Sequence, residues 1–192
     1  WSYRVTRFEN EEGDITSSIE EFKPQEEKIA RWKLLELNGK QPTDKQQRKF
    51  IKKKLKKSDT NQQDNSNSSF KLRNLVDTKS LKLISQNDRT MDFSFKVYIK
   101  KLGDDSKGKL DGRLSFNKKL DYIESITITN NQEFSPMFSA SISDFKLTLS
   151  FTKIDRAVLP LENTMEMKGS FAFFTEINET SYDRFSEYEL KH

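Results

Sequence analysis

Met91-Asp92-Phe93-Ser94-Phe95-Lys96-Val97-Tyr98-Ile99-Lys100 carries an apolar side chain at every odd position and a polar one at most even positions. Successive side chains of an extended chain point to opposite faces, so this stretch predicts a half-buried β-strand with one apolar and one wet side. Phe145, Leu147, Leu149 and Phe151 repeat the pattern, as do Met165, Met167, Gly169, Phe171 and Phe173. Several such strands in succession make an antiparallel sheet. What covers the apolar side, the protein's own residues or something from outside, decides the function.

Working outward, Leu110, Gly112, Leu114 and Phe116 form another strand, with Gly112 read as a bend, and Tyr122, Ile126 and Ile128 the next. Turns are expected at 86–88, 103–105, 117–118, 130–132, 142–143 and 159–160, a spacing that suits a meander rather than βαβ units. Towards the N-terminus, Trp1, Tyr3 and Val5 alternate with Ser2, Arg4 and Thr6, and Glu11 to Asp14 make a turn. A weak strand over Ile15 to Phe22 and another over Arg31 to Leu37 follow. Asn38-Gly39 closes the latter with a pair suited to positive φ.

Thr43 and Gln46 have capping-box spacing and predict a helix from about Asp44 to Lys57. It holds eight of the chain's 34 basic residues: Lys45, Arg48, Lys49, Lys52, Lys53, Lys54, Lys56 and Lys57. Against 30 acids and a net charge of +4, the positive charge is therefore local. Arg48, Lys49, Lys52, Lys53 and Lys56 mark either a solvated face or a surface for anionic lipid or an acidic partner. The absence of an arginine-and-aromatic stacking pattern argues against nucleic acid. Residues 58–69 contain no apolar side chain and predict a disordered polar loop inside a single domain spanning 1–192.

Composition narrows the chemistry. Fifteen Phe, five Tyr and two Trp in 192 residues are enough for a folded, aromatic core. There is no Cys, and the single His is residue 192, which excludes thiol nucleophiles, His-based relays and Cys/His metal sites. The carboxylate pairs Glu11/Glu12, Glu20/Glu21 and Asp104/Asp105 read as solvated turns or strand ends, and 104–108 lacks the spaced ligands of a calcium loop. Neither a catalytic residue, a metal ligand nor a cofactor is predicted. No apolar run is long enough to cross a bilayer as a helix. The start at Trp1, without Met, reads as either an excised piece or a mature chain whose leader has been removed.

Trp32 to Thr43, with Phe50 beyond, resembles a Trp-x-Leu…Asn/Asp-Gly-x-x-Pro-Thr pattern of uncharacterised exported bacterial proteins near the LolA/RseB-like, lipoprotein-handling group. Gly112-Arg113-Leu114, Phe134-Ser135-Pro136-Met137 and the run from Pro160 to Phe173 are similar in style. The resemblance implies an α+β fold, mostly antiparallel β: a curved half-open barrel with one or two helices packed on the concave side. It also implies a periplasmic or secreted, non-enzymatic binding protein of the cell envelope that holds a lipid or lipoprotein acyl chain on that face. The ligand-face candidates are Phe93, Phe95, Phe116, Phe145, Phe151, Phe171 and Phe173. The same residues serve equally as a closed core, in which case the protein is an interaction or structural module docking another envelope protein.

Overall fold

The structure, a computed structural model, describes residues 1–63, 75–172 and 175–190. Its strands are β1 (Ser2–Glu11), β2 (Asp14–Phe22), β3 (Trp32–Leu37), β4 (Lys82–Gln86), β5 (Thr90–Lys96), β6 (Leu110–Asn117), β7 (Tyr122–Asn130), β8 (Phe134–Met137), β9 (Ala140–Ile154), β10 (Ala157–Phe171) and β11 (Thr175–Glu189). One long α-helix, α1, covers Asp44–Gln63. The strand order β3-β2-β1-β11-β10-β9-β7-β6-β5-β4, with β8 on β9, is an open sheet rather than a closed barrel. Among the described residues the fold is thus mostly antiparallel β, with one long helix. The residues group into two compact units: unit 1 (1–9, 15–70 and 183–192) and unit 2 (10–14 and 71–182).

In unit 2 the alternation does what the pattern dictates. Phe95, Leu110, Leu114, Ile126, Ile128, Ile142 and Phe145 point to one face and are buried together. The registers Phe93↔Leu114, Phe95↔Gly112, Leu114↔Ile126 and Gly112↔Ile128 put matching apolar positions side by side. β5 itself ends at Lys96, yet Val97 and Ile99 stay in the same core, which Leu75 and Phe134 complete. Gly112 is not a bend. The ring of Phe95 lies over it so closely that a Cβ would sit 2.3 Å from the ring, so glycine here makes room for an aromatic neighbour.

Two expected turns are strand instead. Residues 142–143 lie inside β9, and 159–160 inside β10; the reversal falls at Asp155-Arg156, with Asp155 at φ 54°. Pro160 is accommodated at a register shift between Pro160 and Glu162, where a missing N–H costs the ladder little.

Unit 1 packs α1 on β3. Asn38 and Gly39 both have positive φ, 49° and 73°, the backbone a tight reversal demands. The capping box forms as read: Thr43 N–H donates to Gln46 Oε1 at 2.8 Å, and Gln46 N–H to Thr43 Oγ1 at 3.4 Å. The helix runs past Lys57 to Gln63, because 58–63 contains neither Gly nor Pro to stop it. The expected loop is therefore helix over 58–63, and the rest of that expectation, 64–69, lies outside the described residues.

Candidate functional site

The aromatic candidates divide by depth. Phe95 and Phe145 are each 3% exposed, and Phe93, Phe116 and Phe151 are half-buried against the same cluster. Phe134, on the short strand β8, closes this face by packing edge-to-face on Phe145, with ring centroids 6.4 Å apart. Phe171 is 44% exposed. Phe173 lies outside the described residues. Five of the candidates thus share a packed interior rather than an open groove. A cavity in unit 2, about 270 Å³, opens on the opposite polar face among Asp92, Arg113, Ser115, Ser125 and Thr127.

Unit 1 holds a better-formed concavity. The odd positions of β1 and the even ones of β2 face α1, and at one end they are aromatic. Tyr3 meets Phe22, Trp32, Phe185 and Tyr188 at centroid distances of 5.2, 6.1, 5.7 and 5.7 Å. Farther along the same face the residues turn polar, and a cleft of about 460 Å³ opens between strands and helix. Leu34, Leu37 and Phe50 give it an apolar lining, Thr16, Ser18 and Gln46 supply hydrogen-bonding groups, and Lys49 and Lys53 stand at its helical side. Its volume falls within the range of small-ligand sites.

A ladder of alternating charge crosses the cleft wall. Asp183 on β11 accepts from Arg7 on β1. Arg7 Nε lies 3.1 Å from Glu20 Oε1 on β2, and Glu20 Oε2 lies 2.5 Å from Lys54 Nζ on α1. Glu20 is only 5% exposed, so the sequence expectation of a solvated carboxylate is overturned. It tolerates burial because two cations satisfy it. Lys54 Nζ also sits 3.9 Å from the centre of the Trp32 ring, a cation–π contact.

The basic residues of α1 are sorted accordingly. At 3.6 residues per turn, Lys45, Arg48, Lys49, Lys52, Lys53 and Lys56 fall on one face, and all six are exposed. Lys54 alone of the described basic side chains on the helix turns inward. Among the described residues, Arg48, Lys49, Lys52 and Lys53 have no ion-pair partner. Those four make a cationic face without ion-pair partners, two of whose members, Lys49 and Lys53, also line an apolar cleft. Such an edge can hold the anionic head of an amphiphile while Leu34, Leu37 and Phe50 cover its chain.

Sequence reading missed the ladder. The signal was present at Arg7, which occupies an odd position of β1 where the alternation of Tyr3 and Val5 predicts an apolar residue. A charge on an inward face asks for a partner.

The buried phenols offer a pH test. Burial pushes Tyr3 up to about 12, and Tyr188 is raised for the same reason. A raised acid prefers its neutral form when folded, so stability is full below the ordinary tyrosine range near 10 and falls as pH rises from there towards 12. The expected loss for Tyr3 is on the order of 2 kcal/mol. Phenolate absorbance should appear late in the native protein and jump on unfolding; titration of all five tyrosines near 10 would refute the burial.

Among the described residues no group of three His, Asp or Glu side chains is placed to hold a metal, and no helix is long and apolar enough to cross a membrane. Comparison with protein-family models, curated proteins and solved structures yields no significant match.

Proposed function

We propose that this is a non-enzymatic binding protein of the bacterial cell envelope, periplasmic or secreted, that holds the acyl chain of a lipid or lipoprotein in the unit 1 cleft. The exposed face of α1 brings it to an anionic membrane surface or envelope partner. The observation that carries the reading is the shared position of Lys49 and Lys53, which belong both to the free cationic face and to the lining of an apolar cleft. The LolA/RseB-like resemblance and its curved, half-open sheet belong to the same proposal, with the ligand placed beside α1 instead of on the packed Phe face.

Native mass spectrometry before and after delipidation should differ by the mass of a bound amphiphile, and the delipidated protein should take up a fluorescent fatty acid. Lys49→Glu with Lys53→Glu should weaken that uptake about tenfold, the equivalent of losing a charge-assisted contact. Identical spectra together with no uptake would refute the carrier. A closed-core interaction module is favoured by one feature, the sealing of Phe95 and Phe145 under Phe134. Recovery of one specific protein, free of lipid, from an envelope extract would establish that alternative.

A further inference from the structure

β8 and β9 form a hairpin in which Met137 pairs with Ala140, leaving Phe138 and Ser139 as the turn. Tight turns ordinarily take Gly, Pro, Asn, Asp or Ser. Here the first turn position is Phe, and its side chain is fully exposed beside Met137, itself 60% exposed. Phe171 pairs with Ala140, and Ala172 N–H donates to Ser139 O at 2.7 Å, so the exposed Phe171 stands at the same corner. Nothing local requires an aromatic there.

The turn is held firmly from behind. Gly103, at φ 78°, approaches Pro136 so closely that a Cβ would lie 2.7 Å from its carbonyl oxygen. The Asp105 carboxylate accepts from Ser135 N–H at 2.7 Å, and Ser106, fully buried, donates its hydroxyl to Gly103 O at 2.7 Å. This brace, made of the 3₁₀ turns Lys100–Leu102 and Asp104–Ser106, packs on β8 and carries the exposed Lys100 and Lys101. The apolar tip is preorganised, and the brace behind it carries Lys100 and Lys101 together with Asp104 and Asp105, whose charges are paired to Lys107 and Lys109.

We propose that this tip is a membrane-contact element, which seats Phe138 and Met137 at the headgroup–acyl boundary of an anionic bilayer with Lys100 and Lys101 over the headgroups. Area favours lipid over a protein partner. Aromatic side chains offer roughly 150–250 Å² each, so the tip falls well short of the ~1,000 Å² of a stable protein interface. A bilayer needs no shape complement and adds the apolar and electrostatic contributions together. The proposal uses only unit 2 residues and stands apart from the cleft.

The test uses vesicles of phosphatidylcholine containing phosphatidylglycerol. Trp emission from Phe138→Trp, after subtraction of the wild-type signal from Trp1 and Trp32, should shift to the blue and be quenched by brominated acyl chains. Phe138→Asp should bind these vesicles about tenfold more weakly, as loss of one buried aromatic predicts. Its Tm and its uptake of soluble fatty acid should be unchanged, which separates this surface from the cleft. Unshifted emission, or wild-type vesicle binding by Phe138→Asp, would overturn the proposal. So would a wild-type dimer that Phe138→Asp converts to monomer, since that assigns the tip to a second copy.

Discussion

Glu20→Ala is expected to destabilise unit 1 by about 3 kcal/mol, because it removes the buried carboxylate that pairs with both Arg7 and Lys54. Arg7 keeps Asp183 after the change. Lys54, whose side chain is 17% exposed, loses its 2.5 Å carboxylate contact and retains the ring faces of Trp32 and Phe50. Replacing both ends of that pair, Glu20→Met with Lys54→Met, should recover most of the loss, since the desolvation cost then disappears along with the attraction. Urea unfolding followed by tryptophan fluorescence measures both. A single variant within about 0.5 kcal/mol of wild type would show that water already compensates the pair.

Phe134→Ala should cost unit 2 about 4 kcal/mol. The side chain is 1% exposed and is the piece of β8 that covers Phe145, so truncation removes its transfer energy and leaves a void that neighbouring strands cannot collapse to fill. The same variant discriminates between the two uses of the Phe face. If the face is sealed, stability falls steeply and small apolar molecules gain a site in the new cavity. A cost below about 1 kcal/mol would mean that the aromatic stripe was never fully packed.

These two sites also show what the chain discloses before folding. Phe93, Phe95, Phe145 and Leu147 were legible because one buried face forces a period of two, and α1 because Thr43 and Gln46 have only one useful geometry at that spacing. β11 was not legible: across Thr175 to Glu189, Ile177, Tyr182, Phe185 and Tyr188 keep no strict period, and most of the strand is wet. The false turns at 142–143 and 159–160 arose because Ser, Asp and Pro also occur in long strands that are half-exposed or bulged. The charge ladder escaped because its partners come from four elements, and only pairing brings Asp183, Arg7, Glu20 and Lys54 together. The fold lay largely in local patterning, whereas the cleft depended on contacts distant in sequence.

Unit 1 is assembled from residues 1–9 and 183–192 together with the segment that runs from β2 through α1, and Ser2 Oγ donates to Glu189 O at 3.2 Å where the first and last strands meet. Its β1 edge is complete only when the strand that comes last in this sequence arrives. Bringing such distant segments together carries a large loop-closure cost, so unit 2, contiguous apart from 10–14, has the shorter route to its native contacts. Until β11 docks, β1 presents an unpaired row of N–H and C=O groups, the kind of edge that recruits other chains. The order in which strands are made is therefore a hazard written into the topology, and a chaperone that shields β1 during that interval would protect the cleft before it exists.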